Sequence, residues 1–165
     1  MASEQEIQAQ FMADRQQYGQ LLLQNKGKNF VQRILNPNAY PSLEEWDGPG
    51  TSGTHAMSYV SGKKNKFHVY PEIIQDKKTG EMKYFGKNNR KAAWDYAKKT
   101  GEYITVDSQE EAEKFGSYGY KAAWGDPVKG YEIYKQGLQR SMEKKVPKDV
   151  LNQNEQSQLD QLGSQ

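Results

Sequence analysis

The sequence predicts an α+β fold: a small, mainly antiparallel sheet of three to four strands packed against helices, with helical arms at both ends. Three observations predict it. The tract from Thr54 to Ile74 is dense in β-formers and is divided by a polar turn over 61–66. Two helix-start signals stand out: Ser3 before Glu4 and Glu6, and Asp107-Ser108 before Glu110 and Glu111. Clusters of Gly, Pro, Asn and Asp punctuate the segments between them.

The first element is a helix over 3–24. Ser3 suits its N-cap, and Glu4 and Glu6 suit the positive end of its dipole. Ile7, Phe11, Asp14, Tyr18 and Leu21 recur at alternating spacings of four and three, a narrow seam with a charge at its centre. A helix this rich in Gln is not stable alone in water and must dock on something, either its own domain or a partner. Ile7, Phe11, Tyr18, Leu21 and Leu22 are assigned as a seam that docks on a partner. Asn29–Leu35 is short and either helical or extended, and it stops at Asn36-Pro37 because the residue before proline avoids the α region. A long loop follows, and its apolar Leu43 and Trp46 predict that it folds back on the core.

Strands are predicted near 54–60, 67–74 and 81–85, paired in sequence order because Gly62 and Thr79-Gly80 mark their turns. Pro71 predicts a bulge or a fresh start within the middle strand. A helix over 89–100 follows, capped by Asn88 or Asn89 and ended by Gly101, then a short strand over 103–106. The next helix, over 108–121, turns Ala112 and Phe115 inward. Pro127 and Gly130 precede a helix at 131–144, and a last weak helix lies at 148–162 with Val150, Leu151, Leu159 and Leu162. The motif Lys-Ala-Ala-Trp occurs twice, at 91–94 and 121–124, each time after a Phe-Gly pair, which is either a duplicated element or a chance recurrence of packing vocabulary.

The 165 residues divide into an N-terminal amphipathic helical arm, 1–28, an α+β core, 29–125, and a C-terminal helical tail, 126–165. The chain is polar, with a mean hydropathy of −1.05. Its 12% aromatic content is nonetheless too high for a disordered chain. Lys+Arg of 23 against Asp+Glu of 21 is too balanced to argue for nucleic acid. The absence of cysteine excludes disulfides, thiolate zinc sites and cysteine nucleophiles. No apolar run approaches the ~18 residues of a membrane span, and the acidic start is unlike a signal peptide.

Little here points to chemistry. Only His55 and His68 are histidines; on paired strands they can be neighbours and can join Asp47 or Glu72 at a metal, but no close ligand spacing supports this. Thr51-Ser52-Gly53-Thr54-His55 sets hydroxyls beside an imidazole, with Asp47 as an orienting group, yet without the nucleophile elbow. Neither Asp47–Gly53 nor Gly62-Lys63-Lys64 has P-loop spacing. Glu110 and Glu111 read as first-turn dipole partners. Tyr118, Tyr120 and Lys121, with Tyr84 and Lys83, make a weak stacking platform for single-stranded nucleic acid. The expectation is a non-enzymatic protein without cofactor or metal. A hydrolase or metal-dependent enzyme centred on His55 and a single-stranded nucleic-acid module are the alternatives.

Several blocks occur in order: Asn36-Pro37, Tyr40-Pro41-Ser42, Thr54-His55-Ala56-Met57-Ser58-Tyr59, Val69-Tyr70-Pro71-Glu72-Ile73-Ile74, Thr100-Gly101-Glu102-Tyr103-Ile104, and Ser108 to Phe115. Over about 29–125 this run resembles a segment that recurs in virion-associated proteins of tailed bacteriophages, including large internal or tail-linked polypeptides. The resemblance implies a structural or DNA-ejection-associated virion component, located in the particle after synthesis in the host cytoplasm. It implies contacts with other virion proteins or with copies of itself, and it brings no catalytic residues.

Overall fold

A computed structural model describes residues 2–44, 52–53 and 57–145. The predicted helix at 148–162, and Trp46, Asp47 and His55, lie outside the described residues.

Among the described residues, five α-helices and a small antiparallel sheet form the fold. Helix α1 is Glu4–Gln24, with Ser3 as N-cap accepting from the Glu6 N–H at 3.1 Å. Asn29–Leu35 is helical, α2, and it ends where Asn36 precedes Pro37. Leu43–Glu44 (β1) and Ser52–Gly53 (β2) form a two-residue antiparallel bridge.

The predicted middle strand breaks at Glu72, as Pro71 foretells. Its first half, β4 (Phe67–Pro71), pairs with β3 (Met57–Ser61). Its second half, β5 (Ile73–Gln75), pairs with β6 (Met82–Tyr84) in a separate two-stranded sheet. The expected sequential meander is therefore corrected. The 81–85 strand does not extend the main sheet. Its place beside β4 is taken by β7 (Ile104–Val106), giving the order β3-β4-β7.

Helix α3 is Arg90–Thr100. Gly101 ends it in the left-handed region at φ 77°, which glycine enters without a Cβ clash. Asn89 occupies the N-cap position, but its side chain donates to the Phe85 carbonyl instead of capping. Helix α4 is Gln109–Ser117, capped by Ser108, whose hydroxyl accepts from the Glu111 N–H. It stops short of the expected 121. Gly119–Ala123 is a 3₁₀ turn. Helix α5 spans Pro127–Lys145, beginning earlier than expected: Pro127 opens it and Gly130 lies inside it.

The three-stranded sheet is covered on both faces, as its alternating side chains require. Val69, Ile104 and Val106 face a core that holds Phe115 and Ala112 of α4, Tyr18 and Leu22 of α1, and Phe30 and Ile34 of α2. Tyr70 and Val60 face the other way, onto Ala93, Ala97 and Trp94 of α3. The alanines let α3 lie close to the sheet. A second cluster joins Ile7 and Phe11 of α1 to Tyr134 and Leu138 of α5, with Phe11 edge-on to Tyr131 and Tyr134 at centroid distances of 5.1 and 5.3 Å.

The two Lys-Ala-Ala-Trp motifs adopt different structures. The first lies on α3. The second forms the 3₁₀ turn and its exit, where Ala122 and Ala123 are buried. They share small residues at close contacts, not a repeated element.

Candidate functional site

The seam assigned to a partner is buried in the chain itself. Ile7, Phe11, Tyr18 and Leu22 are at most 6% exposed, and Leu21 is half-buried against the same core. The periodicity located the buried face correctly, but the surface that covers it is the 3₁₀ turn, α4 and α5. Two polar anchors hold α1 there. Asp14, at the centre of the seam, accepts from the Tyr134 hydroxyl at 2.6 Å and pairs with Lys114 at 3.1 Å. Arg15 donates through Nη1 to the carbonyls of Ala122 and Trp124 at 3.0 and 3.2 Å. The buried carboxylate and the surrounding tyrosines hold the Tyr134 hydroxyl well above its usual pKa, burial contributing most. The helix is thus a wall of the core and not a free arm.

Turning Asp14 and Arg15 inward leaves the outward side of α1 without charge from Ile7 to Gln24, since these two are the only ionisable residues in that stretch apart from Tyr18. Met12 and Leu23 stand on this side, 63% and 58% exposed. Positions 12, 16, 19 and 23 fall on one stripe, Met-Gln-Gly-Leu. Exposed glutamines flank it. This outer face is therefore free of charge on a chain with 27% charged residues.

A second grouping surrounds His68. Its ring stacks on Trp94, with centroids 5.2 Å apart and planes 10° apart, and meets the edge of Tyr103 at 5.0 Å. Its Nδ1 shares a 2.8 Å hydrogen bond with Thr105 Oγ1. Gly62 lies so close to the other edge of the ring that a Cβ there would sit 2.4 Å from Nε2. These contacts are those of a packed strand histidine. Glu72, a suggested metal partner, instead lies 3.5 Å from Arg90 Nε. Among the described residues no group of three or more His, Asp or Glu side chains can hold a metal ion.

Two members of the weak stacking platform, Tyr118 and Tyr120, are withdrawn into the core. Both rings are buried, at 3% and 5% exposure, and no base can reach their faces. Comparison with protein-family models, curated proteins and solved structures gave no match.

A third grouping is structural. Glu102, 8% exposed, accepts from the N–H groups of Asn29 and Phe30 at 2.9 and 3.1 Å, so a distant carboxylate caps α2, whose own N-cap residue Lys28 makes no side-chain cap. Arg33, on the same helix, donates to the Ile73 carbonyl at 2.9 Å and to Asn29 Oδ1 at 2.8 Å. Burial pulls the guanidinium down to about 10, while Glu102 opposes the shift. This tertiary cap was invisible in sequence, because Glu102 and Asn29 are 73 residues apart. No helix among the described residues is long and apolar enough to cross a membrane.

Proposed function

We propose that the chain is a structural or accessory component of a bacteriophage particle, acting through contacts with other particle proteins or with copies of itself. The sequence blocks that resemble virion-associated segments motivate the particle. The observation that carries the contact role is the uncharged outer side of α1, with Met12 and Leu23 standing in solvent about 17 Å apart along one stripe. Apolar side chains this exposed, on a stretch of helix whose two charged groups, Asp14 and Arg15, are turned inward, lose water favourably when a partner covers them.

The test is incorporation. The double variant Met12→Glu/Leu23→Glu changes no buried contact, so it keeps its helical content and unfolding midpoint. Its copy number in purified particles should fall at least tenfold. Wild-type incorporation of this variant would sink the reading. Phe11→Asp is not a suitable probe, since Phe11 is 6% exposed and its loss would unfold the chain.

A further inference from the structure

We infer that the layer containing α3 binds the phosphate backbone of double-stranded nucleic acid, without regard to base sequence. The inference is independent of the α1 contact and of the particle.

The first observation is how charge divides along the chain. Residues 63–99 hold eleven of the 23 Lys and Arg but only four of the 21 Asp and Glu, a surplus of seven positive charges in a chain whose total is +2. All eleven cations are exposed. Two of the four acids are already engaged: Glu72 is buried beside Arg90, and Asp76 Oδ1 accepts from two backbone N–H groups. The near-neutral total therefore hides a strongly basic region.

The second observation is that the fold gathers this region on one side of the three-stranded sheet. Helix α3 covers the face that carries Tyr70 and Val60. The turn between β3 and β4, with Lys63 and Lys64, reaches this layer through Gly62, which abuts His68, and through the stacking of His68 on Trp94. The β5–β6 hairpin reaches it through Phe85, 6.0 Å from Tyr96, and through Lys77, which lines one narrow cleft with Tyr96. Helix α4, with Glu110, Glu111 and Glu113, packs on the opposite face of the sheet.

The third observation is that cations sit where local chemistry disfavours them. The first turn of α3 holds no acid, and Lys87, Arg90 and Lys91 cluster at its N-terminus, the positive end of its dipole. A phosphate relieves the repulsion among these groups and meets the same dipole favourably.

The composition of the face favours nucleic acid over a protein or a membrane. Ten of the eleven cations are lysine, which is depleted at protein interfaces and serves phosphate as a point charge. No large apolar side chain between 57 and 106 stands exposed, so the face has neither the dry centre of a protein interface nor an anchor for a lipid surface. Its rings are engaged with one another, His68 on Trp94 and Tyr103 edge-on to both. Unpaired bases therefore find no open ring to stack on, and a duplex backbone is the better ligand.

Fluorescence anisotropy of the full chain with a labelled 20-base-pair DNA duplex tests this. Two duplexes of unrelated sequence should bind within threefold of each other, and affinity should fall about 10²–10³-fold between 50 and 200 mM salt, as expected for four to six phosphate contacts. Lys91→Gln/Lys98→Gln/Lys99→Gln removes three exposed charges from α3 and should weaken binding at least tenfold, with a shallower salt slope and unchanged helical content. Lys26→Gln/Lys129→Gln/Arg140→Gln removes the same charge from outside this layer and should bind within twofold of wild type. No binding at 50 mM salt, or equal loss in both triple variants, would overturn the assignment. Tighter binding to a single strand of the same length, or binding to phosphatidylserine vesicles without binding to DNA, would overturn it as well.

Discussion

Tyr134 donates a 2.6 Å hydrogen bond to Asp14 Oδ2 inside the protein, joining the last described helix to the first across 120 residues of chain. The other carboxylate oxygen meets Lys114, so one buried anion ties three helices together. Removing one partner from such a group costs more than the group contributes as a whole, because the remaining charge is left without its complement. Asp14→Ala should therefore destabilise the fold by about 3–5 kcal/mol. Tyr134→Phe, which removes only the hydroxyl, should cost about 1.5–3 kcal/mol. Urea unfolding of the two single variants and the double variant checks this; strict additivity would show that the three groups do not act together.

Glu102 is the cap of α2. Glu102→Gln keeps one acceptor oxygen but presents an N–H group to the other backbone donor, so it should cost about 1–3 kcal/mol. The loss should be local first: amide exchange at Asn29 and Phe30 should accelerate before exchange in the three-stranded sheet. Uniform acceleration would show that α2 is not separately held by this carboxylate.

Gly62 and His68 are coupled by space. Gly62 has a negative φ, so alanine is permitted there by backbone conformation, but its Cβ would displace the imidazole from Trp94. Gly62→Ala should shift the ring-current-sensitive His68 resonances and the Trp94 fluorescence, at a cost of about 1 kcal/mol. In a His68→Ala background the same substitution should be nearly neutral. An unchanged His68 spectrum in Gly62→Ala would refute the contact.

Lys121 is the half-buried cation of the 3₁₀ turn. Burial, reinforced by the positive charge of Arg140, pulls its ammonium down from 10.5 to about 8. The unfolded chain therefore binds more protons than the folded one between those values, and stability from this group rises with pH across that window. Below pH 8 the charged form is carried at a penalty. Lys121→Met should raise stability at pH 7 by about 1 kcal/mol, discounted for partial exposure, and the gain should shrink as pH climbs through 8 toward 10.5. A gain independent of pH would assign the effect to packing.

Elements set by local chemistry were legible in the sequence. Ser3 caps α1 as expected, the Asp107-Ser108 signal starts α4 with Ser108 as the cap, Gly101 ends α3, and Ala112 and Phe115 point inward, because each follows from a few adjacent residues. What depends on distant chain was not legible. The seam of α1 told which side is buried, but not that residues 118–138 bury it. Pro71 told that the strand breaks, but not that β7 would replace β6 beside β4. The two Lys-Ala-Ala-Trp motifs could not reveal that one becomes α-helix and the other a 3₁₀ turn, since their flanking packing decides it. The outward stripe of α1 was readable only once Asp14 and Arg15 were known to face inward.

The break at Glu72 has a practical corollary. Because the main ladder ends at Pro71, the β5–β6 hairpin is joined to the three-stranded sheet through one short crossing, and its tip, Asp76–Gly80, closes on itself: Asp76 Oδ1 accepts from the Lys78 and Thr79 N–H groups. Length added between Lys77 and Lys78 would lengthen a protruding loop without shifting any register elsewhere. That tip is the natural place to graft an epitope or a fluorophore for locating the molecule by microscopy.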